Sequence, residues 1–267
     1  MGFDFTGYSG SVRNESIRTR SITRICPMSP ILFYGVPAGC SFGSIVALEW
    51  AGRPYRLSRI TMPDLVTSDA FLELNPVAET PAFITEAGNV LTESMAILNH
   101  IGAQAPGAGL AFRQGTHDFD RLNRMLAYLN TTFFSAFGAL WYVYEHAAEG
   151  TEKEVLQAYG RNRVMRAHRQ LEAMLGDGPW LLGRQRTLAD AYFAGLARWA
   201  DYHQVFDGAA FPRIAELRAR LGDDPGVQFA HAIEDERALP ASTAFEGHVA
   251  LDAALPLARL APASAPA

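Results

Sequence analysis

The stretch that decides the fold is residues 31–52, which read ILFYGVPAGCSFGSIVALEWAG. It opens with a short apolar and aromatic run of the kind that forms a buried strand. Glycine and proline between positions 35 and 39 interrupt the run, and apolar residues then recur at helical spacing up to Gly52, a C-terminal stop. The stretch therefore predicts a strand, a tight turn that carries Cys40, and a helix.

The predicted turn places Cys40 at the N-terminus of this helix. Ser41 is expected to cap the helix, because a serine hydroxyl can accept a hydrogen bond from an unpaired amide of the first turn. The free amides and the helix dipole favour an anion, so we expect the Cys40 thiolate to form more easily than that of a free cysteine. A small, buried and inert cysteine is the alternative, and the local sequence does not decide between the two.

Composition limits the class of protein. The chain has 267 residues, 49% of them apolar, which is enough for one large domain or two small ones. A net charge of −5 gives no indication of a nucleic-acid or anionic-membrane partner, and no apolar run reaches the ~18 residues of a membrane span. Two cysteines, Cys26 and Cys40, cannot form a disulfide framework for a chain of this size. This favours a reducing compartment, and we expect a cytoplasmic protein.

Both ends of the chain differ in composition from the middle. Residues 1–28 are rich in Ser, Thr, Gly and Arg and lack periodicity. They are predicted to be a disordered tail, with Cys26 incidental, and a transit-type leader is the alternative. Residues 238–267 are rich in Ala and Pro and carry few charges, so they are predicted to be a weakly ordered tail.

Residues 29–104 read as a small domain of strands and helices. A half-exposed strand at residues 54–60 follows the first helix, and this order implies a parallel pair joined by a crossover. Pro81 opens a strand that forms a hairpin with the next one; a proline there is usually trans, and cis is uncommon. A helix is predicted at residues 92–102, where Ser94 is either a simple cap or an anion-binding hydroxyl.

The second half of the chain reads as all helix. Residues 105–115 are loop-like and are interpreted as a linker, and residues 116–237 as a helical domain. Its first helix, residues 116–146, is long and aromatic, and capping boxes open two later helices. No metal site is predicted.

Four motifs occur in an order and spacing that resemble the glutathione S-transferase superfamily. The resemblance covers residues 31–236 and is closest to the bacterial beta class, which has a cysteine in the active site. The motifs are the cysteine turn Pro37-Ala38-Gly39-Cys40-Ser41, the proline loop Asn75-Pro76…Thr80-Pro81-Ala82-Phe83, the helix start Glu93-Ser94-Met95-Ala96-Ile97, and the capping box Thr187-Leu188-Ala189-Asp190.

The resemblance implies a fold class, α/β followed by all-α. An N-terminal thioredoxin-like domain would precede a C-terminal all-helical glutathione transferase domain, and the protein would be a homodimer. The resemblance also implies that glutathione is the substrate and that Cys40 and Ser41 are catalytic residues.

The implied glutathione-binding residues lie in the other motifs and in the first long helix. A cis Pro81 would present the backbone of Thr80 to the cysteinyl unit of glutathione. Glu93 would hold the γ-glutamyl ammonium, and Ser94 the γ-glutamyl carboxylate. Asn123 would match an asparagine that reaches the glutathione of the partner subunit.

One departure from the beta class concerns the same long helix, where those enzymes tend to carry a His-Lys pair. Asn130 and Thr131 stand at the matching positions. Asn130 can still donate a hydrogen bond to a thiolate and is a candidate catalytic residue, but it does not titrate near neutral pH. The departure bears on conjugating activity more than on glutathione binding.

The predicted function is a glutathione transferase-like enzyme that transfers the glutathione thiolate to a small apolar electrophile. The alternatives are a glutathione-dependent disulfide reductase or peroxidase that uses Cys40, a glutathione-dependent isomerase or dehalogenase, and a non-catalytic adaptor with this fold. Some aromatic residues of the helical domain would form a wall for the electrophile, although most of such a stripe is normally core. The candidates are Tyr128, Phe133, Phe134, Trp141 and Tyr142.

Overall fold

The structure is a computed structural model that describes residues 28–147 and 149–259. The predicted N-terminal tail, apart from Met28, lies outside the described residues, and so does Cys26. Among the residues that are described, no helix is long and apolar enough to cross a membrane.

The first domain is built on a mixed sheet of five strands. The strands are β1 (Ile31–Val36), β2 (Tyr55–Thr61), β3 (Ala82–Ile84), β4 (Val90–Thr92) and β5 (Phe245–His248). Their order in the sheet is β4-β3-β1-β2-β5. As predicted, β1 and β2 are parallel, and β3 and β4 form an antiparallel hairpin that pairs with β1.

The remaining elements are helices on the sheet and a helical second domain. The helices that accompany β1 to β4 are α1 (Phe42–Ala51), α2 (Asp69–Leu72) and α3 (Ser94–Gln104). The second domain contains α4 (His117–Tyr128), α5 (Gly138–Glu145), α6 (Gly150–Met174), α7 (Leu188–Ala197), α8 (Trp199–Tyr202), α9 (Pro212–Gly222) and α10 (Pro225–Glu234), and α11 (Leu251–Ala254) follows β5. The predicted fold class, α/β followed by all-α, is confirmed.

The long helix predicted at residues 116–146 is interrupted in the structure. A π-helical turn, Leu129–Phe134, follows α4, and the chain resumes a regular helix only at Gly138. A wider turn adds a residue without changing the apolar character of the segment, so the hydrophobic pattern did not reveal it.

The strand β1 is buried on both faces of the sheet, as its apolar run predicts. Leu32 and Tyr34 point into the larger core, which also contains residues of α1, α3 and the helical domain. Ile31 and Phe33 point into a smaller core with residues of α2 and α11. The turn after β1 therefore begins in the most enclosed part of the domain.

The two domains meet where α1 crosses α7. A Cβ atom added to Gly43 would lie 2.6 Å from the carbonyl oxygen of Ala191, and one added to Gly195 would lie 3.0 Å from the backbone nitrogen of Gly43. The helices therefore touch through their backbones, which only glycine allows. This crossing packs α7 against Gly43, which follows Cys40 by three positions in the chain.

The prediction of a weakly ordered tail at residues 238–267 is wrong for its described part. β5 pairs in parallel with β2 and forms the edge of the sheet, and the backbone amide of Arg259 donates to the carbonyl of Gly88 at 2.6 Å. Leu251 and Ala254 are buried against the sheet. A few apolar residues are enough to order this segment, because its strand pairs with the free side of β2, which the rest of the sheet already provides.

Candidate active site

The sulfur of Cys40 is the meeting point of three separate segments. Cys40 is half-buried in the turn between β1 and α1. Its Sγ donates a hydrogen bond to the backbone carbonyl of Thr80 at 3.0 Å, and the hydroxyl of Ser94 lies 3.8 Å from the sulfur. These contacts join residues 40 and 54 positions apart in the chain. The structure thus brings together the predicted cysteine turn, proline loop and helix start.

The expectation of an easily formed Cys40 thiolate is wrong. Burial raises the pKa of the Cys40 thiol to about 11; a hydrogen bond with Ser94 lowers the pKa, and the charges of Glu79 and Glu93 raise it. Helix α1 begins at Phe42, after the cysteine. The thiol donates to a carbonyl, which favours the neutral form. The Cys40 thiol is therefore protonated near neutral pH.

Ser41 occupies the N-cap position of α1, but its side chain does not cap the helix, contrary to the prediction. Its backbone is already helical, with φ −64° and ψ −16°, whereas a capping serine needs an extended backbone. The buried hydroxyl accepts a hydrogen bond from the backbone amide of Gly35 at 3.0 Å instead. Ser41 therefore ties the turn to the end of β1.

Two residues at the end of α7 and the start of α8 hold the same turn from the helical domain. Arg198 donates to the carbonyl of Gly39 at 2.7 Å, and the indole nitrogen of Trp199 donates to the carbonyl of Ala38 at 2.8 Å. The Arg198 guanidinium is also paired with the buried carboxylate of Glu234. The sequence does not predict the role of these residues, because no local pattern links them to a turn about 160 residues earlier.

The proline loop has the conformation that the family resemblance implied. The Thr80–Pro81 peptide bond is cis, as are the Val36–Pro37 and Met62–Pro63 bonds. Thr80 is buried, and its carbonyl faces Cys40. Asn75 organises the loop, because its amide group donates to the carbonyl of Glu79 at 2.7 Å.

Helix α3 begins at Ser94 without a side-chain cap. Glu93 precedes it with φ +72° and ψ 128°, a conformation that is rare for any residue other than glycine. The buried hydroxyl of Ser94 lies near the Cys40 sulfur. The first-turn amides thus have no side chain bonded to them and remain suited to a carboxylate.

Asn130 lies in the π-helical turn and contacts a residue that the sequence analysis missed. The hydroxyl of Tyr192, on α7, donates to Asn130 Oδ1 at 2.7 Å. Tyr192 is buried, and its pKa is raised by burial and by the neighbouring Cys40. The π-helical turn therefore brings Asn130 into hydrogen-bond contact with α7.

Two other residues named from the sequence bond to their own helical segment. Asn123 donates to the carbonyl of Phe119 at 2.9 Å, one turn earlier in α4. Thr131 is exposed, and its hydroxyl donates to the carbonyl of Ala127 at 2.8 Å. The contacts described within this single chain do not join either residue to Cys40.

Of the aromatic residues considered for a substrate wall, Phe134 and Trp141 both pack against Trp199, which binds the cysteine turn. The Phe134 ring is half-exposed and lies 5.1 Å, centroid to centroid, from that of Trp199. Phe133 is fully buried, and Tyr128 donates to the carbonyl of Ala167, so both belong to the core of the helical domain. The Trp141 ring lies 5.4 Å from that of Trp199, centroid to centroid, and also stacks on Tyr202.

Both domains of this fold match those of a known family. The glutathione S-transferase N-terminal domain matches residues 40–104, and the glutathione S-transferase C-terminal domain matches residues 134–225. Within the described residues, no group of three or more His, Cys, Asp or Glu side chains is arranged to hold a metal ion.

Curated relatives and solved structures agree with the domain matches. The chain is 30% identical over 201 residues to glutathione S-transferase GST-4.5 of Xanthomonas campestris pv. campestris, covering 74% of this chain and 95% of the relative. A glutathione S-transferase from Xylella fastidiosa is similar with a TM-score of 0.70 and 28% identity over 77% of this chain and 98% of that one. A bacterial beta class glutathione S-transferase of Sphingomonas chungbukensis is similar with a TM-score of 0.66 and 29% identity, over 76% of this chain and 98% of that one.

The chain belongs to the glutathione S-transferase family. The predictions of family and of enzyme type made from the sequence are confirmed.

Proposed function

We propose that the protein binds glutathione beside Cys40 and transfers its thiolate to a small apolar electrophile. The observation that carries this proposal is the convergence of the Thr80 carbonyl and the Ser94 hydroxyl on the Cys40 sulfur. Glutathione-bound structures of similar fold support glutathione as the thiol substrate; one of them, from a sphingomonad, has 27% identity to this chain and a TM-score of 0.68.

Each part of glutathione has a matching group in the site. The backbone of Thr80 would pair with the cysteinyl unit as an added strand. The carboxylate of Glu93 would bind the γ-glutamyl ammonium, and the Ser94 hydroxyl with the first amides of α3 would bind the γ-glutamyl carboxylate. Asn123 would contact the glutathione of the partner subunit in a homodimer.

The chemical step is a displacement by sulfur. The glutathione thiol loses its proton to water, the thiolate forms a carbon–sulfur bond, and the leaving group departs with its electron pair. A donor at the sulfur stabilises the thiolate, and the Asn130 amide supplies it in this proposal. Phe134 offers the half-exposed apolar surface against which the electrophile would lie.

A disulfide reductase that uses Cys40 is the second candidate, because a thiol stands at the centre of the site. Its raised pKa makes Cys40 a poor nucleophile and favours the transferase.

We also propose that the enzyme is cytoplasmic, because two cysteines in 267 residues fit a reducing compartment.

Replacing Cys40 with alanine separates the two candidates. Conjugation of glutathione to chlorodinitrobenzene should stay within about threefold of wild type, since Cys40 is neutral and forms no covalent intermediate. Loss of disulfide reduction with conjugation retained would instead favour the reductase. Cys40→Ser is the control, because its hydroxyl can still donate to Thr80. If conjugation disappears together with disulfide reduction in both variants, the transferase mechanism is wrong.

Replacing Ser94 with alanine should weaken glutathione binding about 10- to 100-fold, because a hydrogen bond to a charged group contributes about 1.5–3 kcal/mol. Isothermal titration calorimetry measures this directly. Ser135→Ala is the matched control, since the Ser135 hydroxyl bonds to the carbonyl of Thr131 in its own helical segment. Equal affinities for the two variants would place the glutathione carboxylate elsewhere, and no binding to wild type would contradict the proposed function.

A further inference from the structure

Tyr192 is a polar residue of the site that the proposed mechanism does not yet use. It lies on α7, where that helix touches α1: a Cβ atom added to Gly43 would lie 2.8 Å from the Cα atom of Tyr192. The side chain is almost fully buried, and its hydroxyl donates to Asn130 Oδ1 at 2.7 Å. The contact joins residues 62 positions apart and fixes α7 to the π-helical turn.

The Tyr192 hydroxyl also interacts with Cys40 and Ser94. Burial and the charge of a Cys40 thiolate raise the pKa of Tyr192, and the Ser94 hydroxyl acts in the opposite direction. Ser94 itself lies 3.8 Å from the Cys40 sulfur. The residues of these two hydrogen-bonded pairs, Tyr192 with Asn130 and Ser94 with Cys40, are called here the thiol cluster.

The hydrogen bond from Tyr192 determines which end of the Asn130 amide is available. A side-chain amide has an acceptor oxygen and a donor NH2 group, and the two ends exchange when the amide rotates by half a turn. Tyr192 occupies the oxygen. Among the hydrogen bonds of the described residues, the Asn130 NH2 group makes none. The π-helical turn sets the direction of this side chain, and such turns are frequent at functional sites.

We propose that Tyr192 is a positioning residue that holds Asn130 with its NH2 group directed to the thiolate of bound glutathione. The inference rests on the proposed function and extends it to a residue without contact to the reacting atoms. In this arrangement a neutral amide supplies the hydrogen bond at the thiolate. Because an amide does not titrate, this donor has the same charge at every pH at which the enzyme folds.

Loss of the Tyr192 hydroxyl would leave the Asn130 amide free to rotate. Its oxygen would then face the thiolate for part of the time, and an acceptor beside an anion opposes ionisation. The expected consequence is a glutathione thiol that ionises at higher pH in the complex. Affinity for the thiol form of glutathione would change little, because the peptide contacts are untouched.

The test compares Tyr192→Phe with wild type and with Tyr128→Phe. Tyr128 is the matched control, since its partly buried hydroxyl donates to the carbonyl of Ala167 at 2.7 Å, outside the thiol cluster. The readouts are kcat and KM for glutathione with chlorodinitrobenzene across pH, and the ultraviolet absorbance of the bound thiolate. Tyr192→Phe should lower kcat about tenfold near neutral pH, as when one donor to a reacting anion is removed, with KM within about twofold.

The position of the pH profile decides the outcome. Tyr192→Phe should move the rise of kcat and of thiolate absorbance to higher pH, and Tyr128→Phe should move neither. Asn130→Ala should reproduce the shift, and the double variant should add little to it, because both residues act through one hydrogen bond. An unshifted profile for Tyr192→Phe, or an equal shift for Tyr128→Phe, overturns the inference. If wild type neither binds glutathione nor turns over, the proposed function fails and this inference fails with it.

Discussion

Replacing Gly43 with alanine should lower the free energy of unfolding by about 3 kcal/mol, because the added methyl group has no space. It would lie 2.6 Å from the carbonyl oxygen of Ala191 and 2.8 Å from the Cα atom of Tyr192. Both are backbone atoms, so no side-chain rotation relieves the overlap. The helices α1 and α7 would have to separate, which moves Tyr192 and Arg198 away from the cysteine turn, and conjugating activity should fall as well.

Urea unfolding followed by circular dichroism measures this effect. Gly138→Ala is the matched control, since Gly138 is also helical and a Cβ atom there has no neighbour within 4 Å. That variant should be as stable as wild type or up to about 1 kcal/mol more stable, because alanine is the better helix former. Equal stability of the two variants would show that the helix crossing is looser than the structure has it.

Replacing Asp190 with alanine should lower the free energy of unfolding by about 3 kcal/mol, because three buried donors lose their acceptor. The carboxylate accepts from the backbone amides of Leu181 at 2.8 Å and Thr187 at 2.7 Å, and from the Thr187 hydroxyl at 3.0 Å. Burial raises the pKa of Asp190 to about 6, so the cost of burying the carboxylate offsets part of the stability that its hydrogen bonds contribute. The site should lose activity too, because α7 carries Tyr192.

Thermal and urea unfolding of this variant can be compared with Thr116→Ala. Thr116 caps α4, and its side chain accepts from the backbone amide of Phe119, but this hydrogen bond is only partly buried. Removal of such a cap should cost about 1 kcal/mol. If both variants lower the free energy of unfolding by the same amount, the buried hydrogen bonds of Asp190 contribute no more stability than an ordinary helix cap.

The order of β1, the cysteine turn and α1 could be predicted because neighbouring residues define it. An apolar run, a group of glycine and proline residues and a helical repeat act over a few positions. The capping box at Thr187 and Asp190 was visible for the same reason. Side-chain direction is less local: Ser41 was expected to cap α1, but its hydroxyl bonds to Gly35.

The fifth strand shows where pattern reasoning fails. Residues 238–267 carry little charge and many alanines and prolines, a composition typical of a weakly ordered tail. β5 is ordered because the exposed edge of β2 offers unpaired backbone groups. That edge exists only after the rest of the sheet has formed, so the segment itself carries no sign of it.

By itself, the sequence determined the two-domain plan, the family, and the three motifs that meet at Cys40. The tertiary structure decided the chemistry of the thiol. Burial and the Thr80 carbonyl keep Cys40 protonated, and Arg198, Trp199 and Tyr192 reach the site from the helical domain. The physical reason is range: helix and turn preferences act between near neighbours, whereas desolvation and hydrogen bonds depend on atoms that the fold brings from 40 to 160 residues away.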